Sequence, residues 1–261
     1  MTVQTYLNHL ASELNLKAKE KEEIDKSLLV LKQRLNKYFE NQVMNHFEFG
    51  SYTRGTMLRR KADMYSDVDY MIIFDNSNQY KPQTLLTNLK KFVNLYYHSS
   101  EIRQSHPTII LELNHIKFEL VPAKIDFFGT KYIPAKNTGY EEWIPTDPND
   151  FNSKLTTANV QSKSNLKPLI RIMKYWNRLN GNHLSSYELE RWIVSNNYTV
   201  FNLRDFVYQT FERLQYRYDD PISYKTKLDR AKRIIQNARK YEYDNLISLA
   251  EQEIEKLLPN L

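Results

Sequence analysis

The segments FGSYTRGT (residues 49–56) and SDVDYMIIF (residues 66–74) contain the features that decide the fold. The second segment alternates between polar and apolar residues and then becomes continuously apolar, which is the pattern of a strand that enters a buried core. Because successive strand side chains point to opposite faces, Asp67 and Asp69 point to the same face. The sequence therefore predicts a Gly–Ser turn that precedes a strand with two carboxylates on one face.

Two like charges side by side repel each other unless a cation compensates them. Carboxylate oxygens favour Mg²⁺, with Mn²⁺ as an alternative, and two such ions about 3.5–4 Å apart hold the reacting oxygens in phosphoryl transfer. A site of this kind usually has a third carboxylate from a neighbouring strand. Glu119 and Asp126 are the candidates, since each lies between apolar residues of a predicted strand. The pattern alone also fits hydrated acidic side chains at a strand end.

The composition excludes several classes of protein. The 261 residues include no cysteine, which excludes disulfide scaffolds, thiolate zinc sites and cysteine nucleophiles. No apolar run reaches about 18 residues, and the first residues lack the apolar core of a secretory signal, so we expect a cytoplasmic protein without a membrane span. The net charge of +6 suits an anionic ligand such as a nucleotide or a nucleic acid, although a basic surface that only aids solubility would give the same charge.

Hydrophobic spacing predicts helices at both ends of the chain and strands in the middle. Residues 4–44 have apolar side chains at helical spacing, and the segment from Lys17 to Met44, without Pro or Gly, is expected to form one long helix. Two further strands are predicted to form a hairpin around Asn114–His115. The segment from Tyr132 to Asn165 is predicted to be irregular, and the chain after it helical. We therefore predict an α+β fold with a mixed sheet and flanking helices.

Together, these features resemble a known signature. A hydrophobic residue before Gly-Ser, a spacer and then two Asp residues one position apart mark the DNA polymerase beta-like nucleotidyltransferase superfamily. The spacer of 15 residues between Ser51 and Asp67 is slightly longer than is usual there. Other segments resemble one branch, the bacterial cyclic-oligonucleotide synthases or CD-NTases, which are relatives of animal cyclic GMP-AMP synthase. These segments are KFELVPA (117–123), EEWIPTDP (141–148), NLKPLIRIMKYWN (165–177) and LSSYELE (184–190).

The resemblance implies a polymerase beta-like nucleotidyltransferase core with a long N-terminal spine helix and a C-terminal helical bundle. Three domains are then expected. Residues 1–44 would form N-terminal helices that pack across both lobes, residues 45–150 the catalytic core, and residues 151–261 a helical domain that completes the nucleotide cleft.

The resemblance also implies a catalytic set. Asp67, Asp69 and Glu119 would be the catalytic residues and would hold two Mg²⁺ ions. Glu119 is preferred to Asp126 because the V-P-A after it matches the family, although the family more often has Asp at this position.

A second set of residues is implied in nucleotide binding. Its members are Gly50, Ser51, Lys174, Ser186 and Tyr187. Lys174 and Ser186 would contact the triphosphate, as would Ser51, and Tyr187 would stack on the donor base. Without the resemblance, Lys174 would be interpreted as a solvated helix residue, Ser186 as a helix cap and Tyr187 as a core residue.

The function implied is synthesis of a cyclic dinucleotide or a short cyclic oligonucleotide from NTPs (ATP, GTP or UTP), in antiphage signalling. The product rather than direct contact would activate a downstream effector, and neither a membrane nor a nucleic acid is required by the sequence. Two alternatives stay open. One is an enzyme that adds nucleotides to RNA or tRNA, and the other is a non-catalytic protein that binds nucleotides or RNA.

Overall fold

The computed structural model describes residues 1–76, 79–98, 100–105, 107–135 and 142–261. The helices in these ranges are α1 (Val3–Glu13), α2 (Ala18–Phe39), α3 (Gly50–Arg54), α4 (Pro82–Tyr96), α5 (Asp150–Gln161), α6 (Leu166–Leu179), α7 (Ser186–Ser195), α8 (Leu203–Arg213), α9 (Ile222–Tyr243) and α10 (Ile247–Leu257). The strands are β1 (Val43–Phe49), β2 (Asp67–Phe74), β3 (Glu101–Ser105), β4 (Thr108–Glu112), β5 (Lys117–Ile125), β6 (Lys131–Pro134) and β7 (Trp143–Thr146).

The chain forms two compact units. One unit consists of residues 17–60 and 65–150, which include the described strands together with α2, α3 and α4. The other consists of residues 1–16, 61–64 and 151–261 and is helical, with α1 and the helices from α5 onward. The predicted α+β class, with a mixed sheet, flanking helices and a C-terminal helical bundle, is confirmed.

The sheet has the strand order β1-β2-β5-β4-β3, and β6 and β7 continue from the distal end of β5. Strands β2 and β5 run parallel, whereas the other described neighbours are antiparallel. The predicted hairpin around Asn114–His115 is the β4–β5 connection. The parallel register places Asp69 opposite Glu119 and Asp67 opposite Lys117.

The two faces of the sheet are packed differently, as the alternation of strand side chains requires. On one face, Phe74 lies edge-on to Phe39 of α2, with ring centroids 5.1 Å apart, and Phe39 also contacts Phe92 of α4. The opposite face carries an apolar cluster that includes Met71 and Ile73. Strands β2 and β5 are therefore held by buried apolar side chains over most of their length.

The helical unit has its own core around α6. Trp176 is fully buried and lies edge-on to Phe211 of α8, with centroids 5.2 Å apart. Met173 is also fully buried, so both α6 residues belong to the core of this unit. The hydroxyl of Tyr6 in α1 donates a hydrogen bond to the carbonyl oxygen of Leu258, which ties the first helix to the end of the chain.

Several predicted element boundaries were wrong. The long helix ends at Phe39 rather than Met44, because the backbone turns away at Glu40, where φ is 46°. The residues from Val43 form β1 instead, since their backbone pairs with β2. β3 was not predicted, and β6, β7 and α5 occupy parts of the segment predicted to be irregular. Residue 141 of the segment EEWIPTDP lies outside the described residues.

Candidate active site

Three acidic side chains lie at the first residues of the parallel strands β2 and β5. Asp67 and Asp69 share a face of β2, and the register places Glu119 of β5 beside Asp69. Their side chains are partly exposed, with exposed fractions of 28% for Asp67 and 26% for Glu119. The structure therefore brings together Asp67, Asp69 and Glu119, the three acids that the resemblance to the family implied.

Lys117 contributes a cation to this acidic cluster. Its Nζ atom lies 2.8 Å from Oδ2 of Asp67 and donates a hydrogen bond to Oε1 of Glu119 at 3.1 Å. Burial lowers the pKa of the Lys117 ammonium, but the negative charges of Asp67 and Glu119 outweigh that effect and raise it overall. The ammonium group thus bridges two of the three acids.

The environment of Asp67 disfavours its ionised form. Burial is the largest cause and the negative charge of Glu119 the second, and they raise the pKa of Asp67 to about 6 against the opposing effect of Lys117. The Lys117 ammonium therefore does not fully offset burial and the charge of Glu119 at Asp67, and a further positive charge would stabilise the ionised form of this carboxylate.

Gly50 lies directly against the acidic cluster. Its φ is +77°, and a Cβ atom built on it would be 1.9 Å from Oδ2 and 3.1 Å from Cβ of Asp69. The reason is the register of β1 and β2, which pairs Phe49 with Asp69 immediately before the turn. Ser51 follows in α3, and its carbonyl oxygen accepts hydrogen bonds from the N–H groups of Thr56 and Met57. The predicted Gly–Ser turn therefore packs against the carboxylates.

Asp126, the other candidate for the third acid, lies at the far end of β5. It is seven residues beyond Glu119, or about 23 Å along an extended strand. Its carboxylate accepts hydrogen bonds from the N–H groups of Phe128 and Thr130 and from the hydroxyl of Tyr132. These contacts stabilise the β5–β6 turn, so the structure places Glu119 and not Asp126 beside the Asp pair.

The donor set has the chemistry that a divalent cation requires. Three carboxylates supply hard oxygen ligands, which suit Mg²⁺ or Mn²⁺ and not a soft metal. In the described part of the chain, no three His, Asp or Glu side chains are already arranged to hold one ion. At this cluster, Lys117 lies within ion-pair distance of two of the three. The residues fit a divalent ion provided that this ammonium group moves.

The remaining predicted nucleotide-binding residues belong to the helical unit. Lys174 is 8% exposed rather than solvated, and its Nζ atom forms an ion pair of 2.8 Å with Oε1 of the fully buried Glu190. Ser186 is the first residue of α7, whose cap is Ser185. Tyr187 is 39% exposed and lies edge-on to a neighbouring ring, so it is a surface aromatic and not a core residue.

Two residues of these sites were missed in the sequence. Lys117 could have been found, because it lies two positions before Glu119 and must share its strand face. Glu190 lies four positions after Ser186 and therefore on the same side of the helix, but that spacing does not indicate a partner in α6. Two arginines that follow the Gly–Ser turn also form ion pairs, Arg59 with Glu20 and Arg60 with Glu112.

We predict that Gly50→Ala disrupts the acidic cluster. The added Cβ atom overlaps the Asp69 carboxylate, and the close approach to Cβ of Asp69 prevents relief by rotation of the carboxylate alone. The expected loss is about 2–4 kcal/mol of unfolding free energy in urea titrations, together with at least about a tenfold loss of Mn²⁺ affinity.

Gly129→Ala is the matched control for this variant. Gly129 also has a positive φ, of +86°, but an added Cβ atom would meet nothing within 4 Å. It should lose only about 1 kcal/mol from backbone strain and keep its Mn²⁺ affinity. Equal losses in the two variants would show that the contact with Asp69 is unimportant.

The raised pKa of Asp67 predicts a stability change with pH. The folded protein holds this proton more tightly than the unfolded chain does, so the stabilisation is complete below about pH 4 and lost as the pH rises through about 6. Without metal, we expect the unfolding free energy of the wild type to fall by roughly 1–3 kcal/mol, relative to that of Asp67→Asn, when the pH is raised from about 4 to neutral.

Asp126→Asn should show the opposite sign. Slight burial raises the pKa of Asp126, but its hydrogen bonds from Thr130 and Tyr132 outweigh this and lower it overall. This carboxylate therefore stabilises the fold at neutral pH and loses that effect in acid, so the variant should be weakened only at neutral pH. If the difference in unfolding free energy between the wild type and Asp67→Asn did not change with pH, the raised pKa of Asp67 would be contradicted.

The chain is similar to known proteins in sequence and in fold. The family model described as the Second Messenger Oligonucleotide or Dinucleotide Synthetase domain, SMODS, matches residues 1–159. A probable cyclic nucleotide synthase of Bacillus cereus is 27% identical in an alignment 182 residues long, and the match covers 56% of this chain and 54% of that protein. A CCA-adding enzyme of Saccharolobus islandicus is 27% identical in an alignment 183 residues long, and the match covers 67% of this chain and 39% of that protein. The chain thus spans about half the length of the first relative and less of the second.

The fold is similar to that of solved structures over nearly its whole length. The Vibrio cholerae DncV cyclic AMP-GMP synthase, in complex with the linear intermediate 5′ pppA(3′,5′)pG, has a TM-score of 0.76 and is 13% identical. This match covers 99% of this chain and 96% of that one. None of the helices in the described ranges is long and apolar enough to cross a membrane. The family match covers well over half of the sequence, and the chain belongs to the Second Messenger Oligonucleotide or Dinucleotide Synthetase domain family.

Proposed function

We propose that this chain is a nucleotidyltransferase that joins NTPs into a cyclic dinucleotide or a short cyclic oligonucleotide. The observation that carries the proposal is the register of β2 and β5, which places Glu119 beside Asp69, the residue against which Gly50 packs, and close to Asp67. Membership of the SMODS domain family supports it independently.

Asp67, Asp69 and Glu119 would hold two Mg²⁺ ions, with Mn²⁺ as an alternative. When bound, these ions supply positive charge that neutralises the triphosphate and favours ionisation of the attacking hydroxyl. Glu119 orients that hydroxyl, and the hydroxyl oxygen attacks the α-phosphorus in line. The bond from the α-phosphorus to the bridging oxygen breaks, the hydroxyl proton passes to solvent, and pyrophosphate leaves. Positioning and charge stabilisation account for most of the catalysis in such a transfer.

We assign the donor triphosphate to Ser51 and Gly50 of the turn and to Lys174 and Ser186 of the helical unit. An ammonium group suits phosphate as a point charge, and the pair with Glu190 holds Lys174 in one position. Tyr187 is exposed enough to stack on a base, and such stacking tolerates different bases, which is compatible with ATP, GTP or UTP as substrates.

The product would act as a second messenger. Joining two nucleotides leaves a linear intermediate with a triphosphate and a free hydroxyl, and a second transfer between these groups closes the ring. The similar Vibrio cholerae enzyme was solved with such a linear species. We further propose that the cyclic product activates a downstream effector in antiphage defence, in the cytoplasm and without direct contact between the synthase and the effector.

A second candidate function is the addition of nucleotides to RNA. The similarity to a CCA-adding enzyme over 67% of this chain favours it, because the same acids would serve that reaction. The SMODS match and the modest net charge of +6 favour a small product over an RNA substrate. A non-catalytic nucleotide-binding protein is the third candidate.

Product analysis tests the proposal directly. The protein is incubated with the four NTPs and Mg²⁺ or Mn²⁺, with and without RNA, and the products are identified by mass spectrometry. A cyclic product is expected. RNA that is lengthened by added nucleotides would establish the second candidate function, the addition of nucleotides to RNA. Absence of pyrophosphate under all conditions would leave only the non-catalytic function.

Two variants of β5 test the third acid. Glu119→Gln should lower the rate of pyrophosphate release by at least about a hundredfold, because a ligand and orienting group is lost. Asp126→Asn should keep at least roughly a third of the wild-type rate, since its carboxylate lies at the other end of the strand. The reverse order of effects would transfer the role from Glu119 to Asp126.

The triphosphate role of Lys174 is tested in a double variant. Lys174→Met alone would leave the buried Glu190 without its ammonium, so Lys174→Met/Glu190→Gln removes both charges. Loss of a charge-assisted phosphate contact should raise KM for NTP about tenfold or more. Lys167→Met, also on α6, is the matched control and should leave KM unchanged. An unchanged KM in a folded double variant would contradict the assignment.

A further inference from the structure

Lys117 forms ion pairs within the acidic cluster on which the proposed function rests. It is 7% exposed, although lysine side chains are rarely buried unless they are paired. Both of its ion-pair partners, Asp67 and Glu119, are proposed metal ligands, at 2.8 Å and 3.1 Å. The ammonium group and a divalent ion would therefore compete for the same two carboxylates.

The position of Lys117 follows from the sheet and not from a flexible side chain reaching across the surface. It lies directly opposite Asp67 in the parallel register and two positions before Glu119 on the same strand face. A cation built into this position is present at all times. It opposes the repulsion between Asp67 and Glu119 in the metal-free protein.

We propose that Lys117 is an internal counter-ion that holds Asp67 and Glu119 together in the metal-free protein and is displaced when a divalent ion binds. It is a positioning residue that acts through the two carboxylates. It keeps the site assembled, and at the same time it weakens metal binding, because the incoming ion must replace an existing ion pair. This inference rests on the proposed function only in taking Asp67, Asp69 and Glu119 as metal ligands.

A purely structural ion pair would behave differently. Its removal would destabilise the protein equally with and without metal and would not tighten metal binding. If Lys117 is an internal counter-ion that competes with the metal, its removal should change stability and metal affinity in opposite directions. The stability of the metal-free protein falls, and the affinity for the metal rises, because ligand binding and stability are linked.

The test is Mn²⁺ binding to the whole chain in the absence of nucleotide, measured by electron paramagnetic resonance of free Mn²⁺. Lys117→Met keeps most of the side-chain volume and removes the charge. We expect it to bind Mn²⁺ at least about fivefold more tightly than the wild type, because a competing positive charge within about 3–4 Å is gone. In EDTA its melting temperature should be lower, and saturating Mn²⁺ should remove most of that difference.

Lys124→Met is the matched control. It removes one positive charge from the same strand, seven residues or about 23 Å from Lys117. At moderate salt, interactions between exposed charges are largely screened over this distance. Its Mn²⁺ affinity should equal that of the wild type. Lys117→Arg, which keeps the charge, should not bind Mn²⁺ more tightly than the wild type.

The outcomes separate the two proposals. If the wild type binds no Mn²⁺, the proposed metal site fails and the inference about Lys117 fails with it. If the wild type binds Mn²⁺ and folded Lys117→Met binds it no more tightly, only the inference about Lys117 is overturned. Loss of nucleotide synthesis alone would not bear on this experiment, since no nucleotide is present.

A measurement on the wild type covers the case in which Lys117→Met fails to fold. An amine that is nearly buried and held by two carboxylates reacts slowly with an acylating reagent. We expect Mn²⁺ to increase the acetylation of Lys117 several-fold, measured by peptide mass spectrometry, while Lys124 stays unchanged. Equal acetylation of Lys117 with and without bound Mn²⁺ would show that the metal does not displace it.

Discussion

The repulsion among the carboxylates at the start of β2 and β5 is the constraint on which the rest of the site depends. Asp69 and Glu119 are register partners, and Asp67 lies two positions earlier on the same face. Such a group stays together only where the surrounding structure opposes its repulsion. The apolar remainder of both strands is buried in the sheet, and Lys117 supplies a positive charge between two of the acids.

The same constraint explains the turn before α3. Antiparallel pairing brings Phe49 opposite Asp69, so the next residue passes directly over the carboxylate. Only glycine has room there and tolerates the positive φ. The turn residue, the Asp side chain and the strand register therefore depend on one another. A change in any one of them alters the geometry of the donor set.

The donor set accounts for the type of reaction more directly than for the product. Carboxylates in this arrangement suit phosphoryl transfer in general, and the chain shows similarity both to a probable cyclic nucleotide synthase and to a CCA-adding enzyme. The fold is maintained at 13% identity to the Vibrio cholerae structure, because core positions require apolar side chains of suitable volume rather than particular residues. Product choice depends on the contacts around the bound nucleotides.

The local pattern of the sequence determined the residue types of the site and the common face of Asp67 and Asp69, because the two-residue period of a strand is a local property. It also determined the β4–β5 hairpin. Only the tertiary structure decided that the chain leaves α2 at Phe39 to form β1, since that strand exists through its pairing with β2. The placement of Glu119 rather than Asp126 beside the Asp pair, and the bridge from Lys117, were likewise decided there. Both follow from the register of two strands far apart in sequence, and no local pattern specifies such a register.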